Sequence, residues 1–124
     1  MGVCLQSKCA IGGAGEAIAA EYLVREGYAI REKNFRSRYG EIDLIASRGD
    51  RLYFVEVKWR GGKTYGGSLA AITPVKQRRI RKTAAYYLLT NSDCRALVPF
   101  YSVVALDAVS DGALSIEFLS DAFV

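Results

Sequence analysis

The sequence of 124 residues predicts a single α/β domain in which one helix precedes three strands and a second helix precedes two more. Two observations carry this prediction. Two β-branched runs surround a Gly-Asp turn near the middle of the chain, and a Thr-Pro pair begins a long helical segment after them. The composition, 51% hydrophobic and 24% charged, is ordinary for a globular protein. Residues 12–124 form the predicted domain, and residues 1–11, which show no clear period, form an N-terminal arm without predicted order.

Turn and cap residues place each element. Gly27 ends the first helix, and Gly49-Asp50 suits a two-residue hairpin turn between two strands. Thr73 as N-cap and Pro74 at the first helical position begin the second helix. In chain order we expect a helix at 12–26, strands at 28–35, 40–48 and 51–60, a helix at 73–89, and strands at 100–106 and 114–119.

The composition excludes several kinds of chemistry. The chain has no histidine, which removes Ser-His and Cys-His nucleophile pairs and argues against a structural zinc site at its three cysteines. No apolar run is long enough to span a bilayer, residues 1–7 lack the pattern of a signal peptide, and the odd cysteine count favours a reducing compartment. We therefore expect a cytoplasmic protein that does not bind membranes and whose chemistry comes from carboxylates, lysine or a metal.

The two central strands carry charged side chains inside otherwise apolar runs. Glu41 and Asp43 share one face of the first strand, and Glu56 and Lys58 share one face of the second. With a two-residue turn, cross-strand partners have numbers that sum to 99, so Asp43 lies opposite Glu56 and Glu41 lies opposite Lys58. Two carboxylates at this spacing repel each other unless a cation lies between them. The pattern indicates a divalent-cation site, which would lower the pKa of a bound water and stabilise charge on a phosphate.

A surface ladder of ion pairs is the alternative interpretation of the same charges, with Glu41 next to Lys58 and the other carboxylates next to arginines. The opposite face of the hairpin is expected to hold Ile42, Leu44, Ala46, Val55, Val57 and Trp59. Ile45 and Phe54 share the charged face, so that face is apolar at one end and acidic at the other. This arrangement is typical of a cleft, and we favour a site over a ladder.

A basic cluster follows in the second helix, where residues 76–82 include five lysines and arginines. The net charge of +4 and a pI near 9.0 favour a polyanionic partner, although a solvated helix face is the usual alternative for such a run. The candidate nucleic-acid-binding residues are Arg36, Arg38, Arg60, Lys63, Lys76, Arg78, Arg81 and Lys82. The aromatic residues that could stack on bases, or else simply pack, are Tyr39, Trp59 and Tyr65.

Short motifs stand in a fixed order along residues 12–124. They are Gly15-Glu16-Ala17, Gly27-Tyr28, Asn34-Phe35-Arg36, Gly40-Glu41-Ile42-Asp43-Leu44-Ile45, Phe54-Val55-Glu56-Val57-Lys58, Thr73-Pro74-Val75-Lys76-Gln77 and Ala122-Phe123. Together they resemble the YraN-like family of predicted endonucleases. That family is similar to the PD-(D/E)XK, restriction-endonuclease-like nucleases and is related to archaeal Holliday-junction resolvases.

The resemblance implies a restriction-endonuclease-like αβββαβ core whose central mixed sheet is flanked by helices. It implies that Asp43, Glu56 and Glu16 bind Mg²⁺ or Mn²⁺ and that Lys58 is the catalytic lysine. Gln77 would border the site. With Glu41 as a further supporting group, these residues form the candidate active site.

The expected function is metal-dependent hydrolysis of DNA phosphodiester bonds, in branched or single-stranded intermediates of recombination and repair. The alternative is a non-catalytic nucleic-acid-binding or protein-interaction module that retains the fold. One departure from the family pattern lies in the stretch after Arg95, where Ser102 takes the place of an expected aspartate. Resolvase-like relatives act as dimers, so a homodimer through the apolar strands at 100–106 and 114–119 is a further option.

Overall fold

The computed structural model describes residues 8–59, 72–108 and 112–123. These ranges contain α1 (Lys8–Arg25), β1 (Ala29–Ser37), β2 (Gly40–Arg48), β3 (Arg51–Trp59), α2 (Pro74–Thr90), a 3₁₀ turn (Ser92–Cys94), β4 (Val98–Ala108) and β5 (Leu114–Phe123). The order confirms the predicted succession of one helix, three strands, a second helix and two strands.

The five strands form one mixed sheet in the order β1-β2-β3-β4-β5. β3 and β4 are parallel and the other neighbours are antiparallel. A parallel pair needs a long crossover connection, and α2 lies within that connection. Helices cover both faces of the sheet, so the predicted α/β fold is confirmed and is consistent with a restriction-endonuclease-like core.

Each face of the sheet has its own apolar core. On one face Ala19 and Leu23 of α1 pack against Leu44, Val55 and Leu106 of the central strands. The other face buries Ile42, Ile45, Leu52, Phe54, Ile80, Ala84, Tyr87 and Cys94 beneath α2. Strands buried on both faces are apolar on both sides, which explains why β2 and β3 read as nearly continuous hydrophobic runs.

β2 departs from regular alternation at Asp43. Ile42 was expected to share a face with Leu44, but it is buried on the α2 side whereas Leu44 faces α1. The β1 residue opposite Asp43 is Asn34, which falls between two paired positions and has a φ of 53°. A residue in the left-handed region interrupts the pleat of a strand. The irregularity in β1 thus lies beside the point where the side chains before and after Asp43 turn to opposite helices.

The ends of several elements differ from the prediction. α1 begins at Lys8 rather than at Gly12, because its three glycines, at about 1 kcal/mol each, do not break a helix that is anchored by later packing. It ends as predicted at Gly27 (φ 97°). There the Tyr28 N–H donates to the Leu23 carbonyl at 2.9 Å, as in a Schellman motif. β5 continues to Phe123 instead of ending at 119.

In the described ranges, neither helix is long and apolar enough to cross a membrane.

Candidate active site

The hairpin of β2 and β3 opens at the candidate site. Its pairing runs from Arg48 opposite Arg51 to Leu44 opposite Val55, which confirms the predicted register. The regular pairing ends there, so Asp43 and Glu56 are not partners in the ladder. Instead, the Val57 N–H donates to Asp43 Oδ2 at 2.9 Å. The Asp43 carboxylate therefore lies between the two strands, at the point where they separate.

The charged form of the Asp43 carboxylate is disfavoured by its surroundings. Burial, followed by the negative charge of Glu56, raises the pKa of Asp43 to about 7. The hydrogen bond from Val57 opposes this rise, since it favours the charged form. Glu16 adds to the rise and Lys76 reduces it. The charges of Glu16 in α1, Glu56 in β3 and Lys76 in α2 thus all act on Asp43.

Glu56 is almost fully buried, with 7% of its surface exposed, and it has a cationic partner. The Lys76 ammonium lies 2.6 Å from Glu56 Oε2. Lys76 was predicted to contact nucleic acid, but here it neutralises a candidate metal ligand. The predicted cap fixes this position, because Thr73 Oγ1 accepts a hydrogen bond from the Lys76 N–H at 3.1 Å. The start of α2 therefore supplies a positive charge to the site.

A close contact brings α1 to the same end of β3. Gly15 lies against the indole of Trp59, and a Cβ at this position would overlap Trp59 Nε1. Only glycine permits this approach without a shift of the helix or of the indole. The next residue along α1 is Glu16, whose charge acts on Asp43. The glycine of the Gly15-Glu16-Ala17 motif thus has a steric role in positioning the acidic residue after it.

The remaining candidate residues have different surroundings. Lys58 is half-buried and, two residues after Glu56 on β3, lies on the α2 side of the sheet. Gln77 Nε2 donates to the Ile72 carbonyl at 3.1 Å, so it ties the start of α2 to the preceding residues. Glu41 was predicted opposite Lys58, but the regular pairing of β2 with β3 ends at Leu44 opposite Val55. Glu41 faces Arg36 across β1 and β2, with Arg36 Nε 3.4 Å from Glu41 Oε1.

A groove of about 550 Å³ separates the β1–β2 turn from α2. Arg36, Lys76 and Arg79 line it together with Glu41. Arg79 was absent from the predicted nucleic-acid-binding residues, although its place three residues after Lys76 puts both on one side of a helix. The groove is therefore mainly basic and begins beside the acidic pair.

The other predicted basic residues differ in exposure. Arg78 and Lys82 are exposed, whereas Arg81 is half-buried and its charge acts on Tyr101 of β4. Arg38 lies over the Tyr39 ring, 5.2 Å from its centroid. Arg60 and Lys63, with Tyr65, lie outside the described residues.

Ser102 and Arg95, where the family pattern is interrupted, have structural partners. Ser102 is buried, and its hydroxyl donates to the Ser120 carbonyl at 2.8 Å, where the pairing of β4 and β5 shifts register. The Arg95 guanidinium donates to the carbonyls of Leu88 and Leu89 at the end of α2. An aspartate at position 102 would bury a charge, and the serine avoids that cost.

The acidic residues can be tested against a hard cation. Among the described residues, no three Asp, Glu or Cys side chains form a ready-made metal-binding cluster. Mg²⁺ commonly uses one or two carboxylates and completes its shell with waters and substrate phosphates. The adjacent carboxylates of Asp43 and Glu56, with Glu16 near enough to act on Asp43, fit this pattern. These carboxylates together carry more negative charge than the single Lys76 ammonium, which is paired with Glu56, can neutralise.

The fold and the site define an α/β protein with a buried acidic pair beside a basic groove. Residues 15–110 match the uncharacterised protein family UPF0102, and the chain belongs to this family. This is the YraN-like family that the motifs resemble.

The chain is similar to UPF0102 proteins along nearly its whole length. A relative from Chlorobium chlorochromatii is 45% identical over 94% of this chain and 93% of its own. One from Rhodococcus opacus is 47% identical over 92% and 96%, respectively. One from Geobacter sulfurreducens is 42% identical over 91% and 88%.

Proposed function

We propose that this chain is a divalent-metal-dependent endonuclease of the PD-(D/E)XK class that hydrolyses DNA phosphodiester bonds. The observation that carries the proposal is the convergence of Asp43 and Glu56 where the hairpin opens. Burial and mutual repulsion raise the pKa of Asp43 to about 7, which is a cost to the folded protein. A carboxylate pair held at such a cost is typical of a site that binds a cation or handles protons.

Each candidate residue has a role in this proposal. Asp43 and Glu56 would hold Mg²⁺ or Mn²⁺, and Glu16 would join them through a water. The cation would supply Lewis acidity, which lowers the pKa of water and stabilises negative charge on a phosphate. The Lys58 ammonium orients the attacking water and donates to a phosphate oxygen. Gln77 holds the start of α2 against the site, and the basic groove holds the DNA backbone.

The direct experiment is cleavage of labelled four-way junctions, forks and single strands with Mg²⁺ or Mn²⁺. We expect activity in the native chain and a loss of at least about 100-fold in Asp43→Ala and Lys58→Ala. Asp50→Ala and Arg51→Ala at the β2–β3 turn are matched controls, because both residues are exposed and lie at the opposite end of the hairpin. Native protein that cuts none of these substrates with either metal would refute the proposal for them.

Binding of the metal can be tested without activity. Mn²⁺ at about 100 times its Kd should stabilise the native chain by about 2.7 kcal/mol, seen as a rise in the thermal midpoint. Glu56→Gln should remove most of this rise and Asp50→Asn none of it. If the thermal midpoint of the native chain does not change with Mn²⁺, this result would argue against a cation at the acidic pair.

The Lys76–Glu56 ion pair favours a second candidate function. An ammonium already neutralises one of the two carboxylates, as a cation would. A non-catalytic nucleic-acid-binding module would need nothing more at this place. This candidate predicts salt-sensitive DNA binding that weakens in Arg78→Ala and Lys82→Ala, with neither Mn²⁺ stabilisation nor cleavage.

A further inference from the structure

A pair of partly exposed tyrosines lies beyond the basic groove, on the side away from the acidic pair. Tyr39 is in the β1–β2 turn and Tyr86 is on α2, with 41% of its surface exposed. Their ring centroids are 6.3 Å apart and the ring planes are inclined at 59°. Tyr86 also contacts Phe35, which is packed against the apolar core. The two rings are therefore held in place from one side and open on the other.

Cavities lie on both sides of the tyrosine pair. One of about 440 Å³ is lined by the tyrosines with Lys82, Ala85 and Leu89. The second, of about 360 Å³, is lined by the tyrosines with Ser37 and Arg38. Ser37 lines both the second cavity and the basic groove, and Lys76 lines the groove as well. The tyrosine pair therefore neighbours the groove whose lining includes the lysine at the acidic pair.

Among the described residues that line the two cavities, the charged ones are Arg38 and Lys82, and both are basic. Arg38 Nη2 also donates to the Tyr39 hydroxyl at 3.1 Å. Flat aromatic surfaces with cations at their rim suit nucleobases whose phosphates lie alongside. An apolar protein partner would not require a rim of this charge, and an acidic partner would not require the rings.

We propose that Tyr39 and Tyr86 are a stacking platform for unpaired bases of a DNA strand that enters the basic groove. The inference rests on the proposed function and narrows its substrate class. In a duplex the base faces are hidden in the stack, so only an unpaired strand can use the rings. The preferred substrate is therefore a fork, flap or single strand, with the unpaired bases at the tyrosines and the phosphates in the groove.

Anisotropy of labelled DNA in EDTA tests the platform without cleavage. The two probes are a blunt duplex and a fork of equal length with unpaired arms. For the double variant Tyr39→Leu, Tyr86→Leu we expect about 5- to 100-fold weaker fork binding and duplex binding within about twofold. Tyr39→Phe with Tyr86→Phe, which keeps the rings, should bind both DNAs as the native chain does. Leu114→Ala, an exposed apolar position on β5, is the control for lost surface area.

Charge variants separate stacking from phosphate contact. Lys82→Ala should weaken fork and duplex alike and lower the salt slope by about 1, because it removes a phosphate contact. Arg51→Ala, at the opposite end of the hairpin, should change neither.

Equal losses for the two DNAs in the leucine variant, or no loss at all, would overturn the platform. In the second case the exposed rings would be assigned to a protein partner. If the leucine variant does not fold, Tyr86→Leu alone carries the test. Fork binding that depends on the rings, in a chain that never cleaves, would refute the nuclease and leave the platform standing.

Discussion

The two ends of the β2–β3 hairpin differ in the regularity of their pairing and in the polarity of their side chains. At the turn end, pairing is regular from Arg48 and Arg51 to Leu44 and Val55, and the inward side chains are apolar. At the open end, a carboxylate replaces a backbone acceptor and two acids share a buried space. The same two strands thus provide a stable frame at one end and a strained, charged arrangement at the other. Natural folds commonly accept such local cost where a function requires it.

The largest expected effect is at Leu44, the last paired residue of β2. Its side chain is fully buried against α1. Leu44→Ala should lower the free energy of unfolding by about 2–5 kcal/mol, because it removes apolar contacts and leaves a cavity. Urea denaturation followed by circular dichroism measures this change. Leu114→Ala, on a partly exposed residue, should cost much less, and equal losses would show that the core is not where the structure has it.

The second largest loss of stability is expected at Lys76, the cation at the open end of the hairpin. Lys76→Met leaves the buried Glu56 carboxylate without its partner, so we expect a loss of about 1–3 kcal/mol, reduced by the exposure of Lys76. Glu56→Gln removes the charge that needs a partner. A double-mutant cycle should therefore give a coupling energy well above that of an exposed pair, such as Arg36 with Glu41. A coupling no larger than this reference would contradict the ion pair.

A substitution at Asp43, the residue before Leu44, is expected to increase the stability instead of lowering it. In the unfolded chain Asp43 holds its proton only below a pH of about 4, whereas in the folded chain its pKa is raised to about 7. The folded state therefore binds more protons between these values, and stability falls as the pH rises through them. Asp43→Asn, whose amide oxygen can still accept from Val57, removes this loss.

The gain from Asp43→Asn should grow from pH 4 to 7 and then stay constant, reaching about 1–2 kcal/mol because Asp43 is only partly shielded from water. Urea midpoints at several pH values measure it. Asp50→Asn at the exposed turn should show no such profile. A gain that is independent of pH would mean that the carboxylate charge is not what strains the open end.

The regular end of the hairpin could be predicted because its signals are local. Gly49 has the positive φ (62°) that a two-residue turn requires, and that turn fixes the register for the residues beside it. Gly27 and Thr73 likewise act within a few residues of the chain. Asp43 and Glu56 stood out in the sequence as candidates, because charges at alternate positions in apolar strands are conspicuous, whereas Glu16 was indicated by the family resemblance.

The open end could not be derived in the same way, because its contacts join distant parts of the chain. Lys76 meets Glu56 only after α2 has packed on the sheet. Glu41 turns to Arg36 because β1 pairs with β2, which the hairpin alone does not reveal. Tyr86 and Arg79 looked like ordinary helix residues. An asparagine within a predicted strand was the one local signal of the kink, since Asn tolerates positive φ better than most residues.

The smallest expected effect tests the origin of that kink. Asn34 has a φ of 53° and lies opposite Asp43. Asn34→Gly should keep the stability within about 0.5 kcal/mol, whereas Asn34→Ala should cost about 1 kcal/mol more than the glycine variant, because a Cβ without a local hydrogen bond disfavours this conformation. Lys33→Ala, at the neighbouring position, should show no comparable loss. If alanine and glycine are equivalent at position 34, the left-handed backbone is not what ends the regular pairing. The separation of β2 from β3 would then have to be attributed to repulsion between the two carboxylates. In that case Asp43→Asn should restore the regular pairing of the two strands.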